Sequence, residues 1–334
     1  MPRLRIPWWT RLVIAPALLV AVLWAVDWRA VIQRVSGADV SWLLLALATA
    51  VCANATSAWR WRSLVRWLGK RVSLAWAETT YFKAVAINAL LPGAVVGGDV
   101  FRAMSLQRQG QPALESGLSV LIDRVSGLWM LIVLGGFAAA WGVAHDAGSG
   151  WLSSLGMPLL SSAAFVFATL ALLIAPAVGL LIGRHLIERP GADANWPARL
   201  IGLAHRPHTG VQYGWQVLGS TIVQALSVAT LACSGRALGL DEPFWVYAVA
   251  AVPTFLMATL PVSFGGWGTR EAAAALALGA FGVPTPAAVA ISMLYGLFAL
   301  AQAMVGAGLL LASRREQATR SDDTPRQPPN SLHS

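Results

Sequence analysis

Two short stretches of this sequence set charge, glycine and proline inside apolar surroundings. One reads LPGAVVGGDVFR from Leu91 to Arg102, the other LPVSFGGWGTR from Leu260 to Arg270. In both, a Gly-Gly pair begins four or five residues after the proline, and an arginine stands four after the second glycine. An arginine offers a fork of donors that matches phosphate or carboxylate. A helix that starts at a glycine pair presents N–H groups and the positive end of its dipole to an anion. The chemistry these residues could do is therefore anion binding. Candidate binding residues in the first half are Asn88, Pro92, Gly97, Gly98, Asp99 and Arg102, with Asp123 and Arg124 further along. Gly265, Gly266, Arg270 and Glu271 are their counterparts in the second. The rival reading makes Asp99/Arg102 and Arg270/Glu271 mutual salt bridges that close an interface.

Other chemistry is poorly represented. Cys52 and Cys233 lie in apolar runs, with neither CxxC nor Cys/His spacing, so no metal is expected. The five histidines fall in predicted loops or the tail. The Gly-Gly segments lack the Lys-Ser/Thr ending of a phosphate-binding loop of nucleotide hydrolases. No cofactor and no enzymatic activity is expected.

The elements that must position these residues are hydrophobic. Of 334 residues 57% are hydrophobic and 12% charged, against about 25% charged in an ordinary soluble domain. Apolar runs long enough to cross a bilayer, roughly 20 residues of helix, recur along the chain. The predicted class is an all-α polytopic membrane protein. Six full spans are expected, at about 12–28, 40–58, 118–142, 157–183, 213–235 and 286–312. Two further stretches, about 74–110 and 243–282, are broken by the Pro/Gly segments. Such breaks are tolerated in a membrane where the freed backbone is buried in protein or lines a wet cavity. The run at 12–28 is too long for a signal peptide and reads as a retained first helix. Residues 313–334 are polar and Pro-rich and read as a disordered cytoplasmic tail.

The net charge of +9 follows the spans. Arg and Lys gather at 1–11, 60–71, 184–206 and from 314 on, while the other loops carry few. The positive-inside rule then places both termini in the cytoplasm. It also requires the two broken stretches to be re-entrant hairpins entering from opposite faces. Leu68-Gly69 and Leu238-Gly239 precede the two Leu-Pro pairs by nearly equal distances. The pattern predicts an inverted-topology repeat, about 12–143 and 157–312, with the hairpin tips meeting near the midplane. Polar Asn54, Gln224 and Gln302 are expected to hydrogen-bond between helices.

The stretch Asn88 to Ala103 (NALLPGAVVGGDVFRA), with Ser119 to Gly127 (SVLIDRVSG) and Leu260 to Glu271 (LPVSFGGWGTRE), resembles the lysylphosphatidylglycerol synthase transmembrane-region family. Those are flippase-like integral membrane proteins, and the resemblance runs from roughly residue 10 to 312. In bifunctional members this region moves an aminoacylated phospholipid between leaflets after a separate soluble domain makes it. The chain ends shortly after its last span, so a stand-alone member without the aminoacyltransferase domain is expected. The resemblance implies a lipid translocator in a cell (inner) membrane. Its expected partners are membrane lipids with anionic or zwitterionic head groups; nucleic acid is excluded. A homo-oligomer or a lipid-modifying enzyme partner stays open. So do two other readings, a membrane-embedded transferase on a lipid-linked substrate and a small-solute secondary transporter.

Overall fold

The structure is a computed structural model and describes residues 28–90, 96–145, 161–186, 202–260 and 265–322. The described residues form ten α-helices and one short 3₁₀ turn, with no strand among them. In chain order the helices are α1 (Trp28–Ser36), α2 (Val40–Trp67), α3 (Leu74–Leu90), α4 (Gly97–Arg108) and α5 (Ala113–His145). They continue with α6 (Ser162–Leu186), α7 (Thr209–Ala237), α8 (Phe244–Thr259), α9 (Thr269–Gly279) and α10 (Thr285–Asp322). Five are long and apolar enough to cross a membrane: α2, α5, α6, α7 and α10. These match five of the six expected spans; the sixth, at 12–28, lies outside the described residues except for Trp28, and Pro92 lies outside them too. The last helix continues to Asp322, past residue 312 where the sequence reading begins the tail.

The broken stretches form helix pairs. α3 and α4 pack on each other across the Leu91–Val95 segment, and α8 and α9 across 261–264. At 1.5 Å per residue, arms of 11 to 17 residues reach only about 16–25 Å, short of a hydrocarbon core of about 30 Å.

Helix packing follows one rule in both halves. α2 packs on α7 as the central pair. Exchanging α2 with α7, α3 with α8, α4 with α9 and α5 with α10 maps the remaining contacts among these eight helices onto each other. Thus α3 lies on α10 and α8 on α5, while α2 touches α5 and α7 touches α10. The turns repeat as well. After α2, Gly69 N–H bonds Arg66 O and Lys70 N–H bonds Val65 O. After α7, Gly239 N–H bonds Arg236 O and Leu240 N–H bonds Gly235 O. Both are helix stops closed by a left-handed glycine, with φ of 105° and 76°. The stops after α4 and α9 use the same pattern at Gly110 and Gly282. Gly235-x-x-x-Gly239 thus combines two unrelated tasks: Gly235 lies against the Tyr247 ring of α8, and Gly239 turns the chain.

Between apolar helices in lipid, close approach and buried hydrogen bonds hold the bundle, because lipid tails are as apolar as leucine. The α2 face toward α7 is small, with Ala46, Ala50, Ala53 and Ser57 buried. Thr49 and Thr230 hydroxyls meet across this seam at 3.0 Å. Asn54 of α2 donates to Gln302 of α10 at 2.7 Å, and Gln224 of α7 to the Gly127 carbonyl of α5 at 2.9 Å. These are the interhelical bonds expected of Asn54, Gln224 and Gln302, and they join corresponding helix pairs.

α6 packs mainly on α5 and leaves large apolar side chains such as Phe167 and Leu181 exposed. Pro176 sits inside it and cannot donate to the carbonyl of Leu172, four residues earlier. The Trp129 indole N–H of α5 donates to that carbonyl at 2.8 Å, and the Tyr213 hydroxyl of α7 donates to Leu173 O at 2.6 Å. The proline break in α6 is therefore held by its neighbours.

Candidate functional site

The two helix pairs bring their tips to one cavity of about 190 Å³. α3 contributes Tyr81 and Asn88, α4 Asp99 and Arg102, and α5 Arg124. Gly265, Trp267 and Arg270 enter from the second pair, with Asn54 of α2 and Gly296 of α10 completing the polar wall.

The charges around it form two groups. In the first, five side chains alternate in sign. Arg60 donates to Asp123 Oδ1 through Nε (3.1 Å) and Nη2 (2.9 Å). Asp123 Oδ2 accepts from Arg102 Nη1 at 2.8 Å, and Arg102 Nη2 reaches Asp99 Oδ1 at 2.9 Å. Asp99 Oδ2 then accepts from Arg124 Nε at 2.8 Å. Arg60, Arg102 and Asp123 are buried, whereas the Arg124 side chain is 41% exposed. Removing charge from water is expensive unless it is paired and hydrogen-bonded, and here every buried member has at least one opposite partner. Arg60 also donates to Ser220 Oγ of α7 at 2.7 Å, tying the chain of charges to the central helix pair. The Arg102 guanidinium lies between the Trp61 and Tyr81 rings, 5.1 and 4.8 Å from their centres.

The second group is smaller. Arg270 donates to Glu271 Oε1 through Nε (3.1 Å) and Nη2 (2.7 Å), and Ser292 donates to the same oxygen at 3.0 Å. The other oxygen, Oε2, accepts the Gly268 backbone N–H at 2.6 Å and caps α9. Arg270 stands 5.0 Å from the Trp267 ring centre and 5.8 Å from that of Tyr295. Gly296 makes room for it, since a Cβ there would lie 2.2 Å from Arg270 Nη2.

Of the residues singled out in sequence, Asn88, Asp99, Arg102, Arg124, Gly265 and Arg270 line this cavity. Asp123 and Glu271 stand behind the arginines they hold. Gly98 lies where a Cβ would meet Ala84 O at 2.3 Å, so the tip of α4 can seat against α3 only without a side chain. Gly97 opens α4 beside it, and Gly266 turns with φ of 83° against Ala258. The helix starts are less open than the glycines suggest. Asn88 Oδ1 accepts the Gly98 N–H at 2.8 Å, as Glu271 accepts that of Gly268. Two of the groups expected to face a ligand are thus capped from within. The mutual salt bridges set against anion binding are present as well, and the arginines line the cavity while making them.

Sequence reasoning missed Arg60, Tyr81 and Trp267. Arg60 reads as the first charge of a basic loop after a span ending near 58. In fact α2 runs to Trp67, and Arg60 is buried about two turns before its end. The signal that could have found it is Trp59-Arg60-Trp61, apolar rings flanking a charge with no turn residue before Leu68-Gly69.

Long apolar helices, paired broken helices and a charged cavity at their tips define a multi-pass helical membrane protein with a polar site enclosed by its bundle. The chain belongs to the lysylphosphatidylglycerol synthase transmembrane-region family, whose model matches residues 8–306. No curated protein matches it.

Proposed function

We propose that the protein is a lipid translocator that moves a polar lipid between leaflets, without covalent chemistry, by sheltering the head group in the cavity between the hairpin tips. The observation that carries this reading is the cavity itself: Arg102, Arg124 and Arg270 from both halves face one space inside an apolar bundle. A charged side chain at the bilayer centre costs at least about 2.5–3.5 kcal/mol, and a scaffold would be more stable without it. Membership of a family named for a lipid synthase's membrane region supports a role in lipid handling.

The repeated contact scheme supports an inverted repeat, with alternating access arising as one half rocks against the other. The charge distribution of the loops supports an inner-membrane protein with cytoplasmic termini and hairpins entering from opposite faces. Transport would draw on a gradient, the membrane potential or lipid supply.

The test is translocation in proteoliposomes. Purified full-length chain is reconstituted with head-group-labelled phospholipids, and loss of label to a membrane-impermeant quencher is followed. The expected result is transfer well above protein-free vesicles, slowed about tenfold or more by Arg124→Gln, as loss of a charge-assisted contact implies. No acceleration for any phospholipid tested would sink the reading.

A further inference from the structure

We infer that the chain carries a second lipid site, apart from the cavity at the hairpin tips: a crevice between α5, α6 and α7 that takes one acyl chain of a phospholipid and fixes its phosphate at a basic rim.

The crevice has a volume of about 430 Å³, within the roughly 300–1,000 Å³ of ligand clefts. It shares no lining residue with the cavity. It exists because α6 packs on α5 and on the 3₁₀ turn Leu203–His205 but stands off α7. Leu121, Val125 and Trp129 of α5 line it together with Pro176, Gly179 and Leu180 of α6. Between Leu121 and Trp129 it runs about 12 Å along α5, less than half of a hydrocarbon core of about 30 Å. Its open end is marked by Trp67, the last residue of α2, and Thr209, the first of α7. The crevice therefore opens within one leaflet.

Its wall offers little to a polar ligand. Trp67, Trp129 and Tyr213 give their donors to the carbonyls of Pro207, Leu172 and Leu173. Gln212 and Gln216 donate to Ser63 Oγ, Ser126 to Gln216 and Thr209 to Leu203 O. A polar body entering here would give up water and find these donors already spent. A hydrocarbon chain has no such cost, so the occupant is an acyl chain.

The rim decides which molecule brings that chain. Arg206 lies 5.9 Å from the Trp67 ring centre and donates to Trp67 O at 3.2 Å. Arg184 is exposed and follows Leu180 by one turn on the same side of α6. Beside Arg206, α7 starts with no side-chain cap among the described residues, which presents the positive end of a 29-residue helix. Two guanidiniums and a helix start suit one phosphate.

Photo-crosslinking of the purified full chain in proteoliposomes tests this. The probes are phosphatidylglycerol with a diazirine in one acyl chain and the diacylglycerol with the same chains, and adducts are mapped by peptide mass spectrometry. Phosphatidylglycerol adducts are expected to gather on residues 121–129 and 176–180. The uncharged probe should label these segments about tenfold less, and Arg184→Gln combined with Arg206→Gln should cut phosphatidylglycerol labelling about tenfold. A Cβ at Gly179 meets nothing within 4 Å, so Gly179→Phe puts a ring into the crevice without a backbone clash. It should abolish the labelling of α5, while Gly179→Ala should keep it. Adducts spread evenly over lipid-facing side chains such as Phe167 and Leu181, equal labelling by diacylglycerol, or α5 labelling unchanged in Gly179→Phe overturns the inference.

Discussion

Asp123 holds two guanidiniums at once, Arg60 on one oxygen and Arg102 on the other. Replacing it leaves two buried cations short of a partner, and breaking a buried pair from one side costs about 3–5 kcal/mol. Asp123→Ala is therefore expected to lower the melting temperature of the detergent-purified protein sharply. Arg124→Gln, at the half-exposed end of the same chain of charges, should leave melting near wild type because exposed pairs contribute about 1 kcal/mol or less. A large loss in Arg124→Gln and none in Asp123→Ala would reverse the roles assigned here. The residue scale also shows where sequence reading stops. The tip residues were legible because a charge beside Gly-Gly in an apolar run is costly and rare. Their pairing was not, since Arg60 and Asp123 are 63 positions apart and only helix packing joins them.

At the scale of the element, two contacts are exposed to test. The carbonyl left open by Pro176 depends on the Trp129 indole N–H. Trp129→Phe keeps most of the ring and removes the donor, and should cost about 1–3 kcal/mol, read as a fall in melting temperature. Equal melting would mean that the proline break needs no partner. The second contact is where α10 crosses α3. A Cβ on Gly306 would lie 2.0 Å from the Phe82 carbonyl, so Gly306→Leu should push the helices apart and disturb the cavity wall at Tyr81 and Asn88. It is expected to reduce lipid binding as well as melting temperature. Element lengths were legible wherever an apolar run was continuous, as five spans show. The end of α2 was not, because a basic segment looks the same whether it is a loop or the buried final turns of a helix.

The whole molecule is organised by the exchange of α2 with α7. Corresponding turns, at Gly69 and Gly239 and at Gly110 and Gly282, close with the same hydrogen bonds, and corresponding helices touch corresponding neighbours. The Leu-Gly landmarks of the first pair of turns are visible in sequence, while the matching stops after α4 and α9 share only a glycine and a following Pro112 or Pro284. If the halves are inverted in the membrane, the turn after α2 and the turn after α7 lie on opposite faces. With Cys52 and Cys233 replaced by serine, a cysteine at Arg71 should react with a membrane-impermeant maleimide only from the cytoplasmic side. One at Asp241 should react only from the other. Labelling of both from one side would rule out the inverted arrangement.

One cavity, built by both hairpin tips, is proposed to receive a lipid head group. Cryo-electron microscopy of the protein in nanodiscs of anionic phospholipid tests it most directly. Head-group density is expected in the cavity, with a phosphate within hydrogen-bond reach of Arg124 and of Arg102 or Arg270. Head groups found only at the outer rim of the bundle at saturating lipid would rule this out.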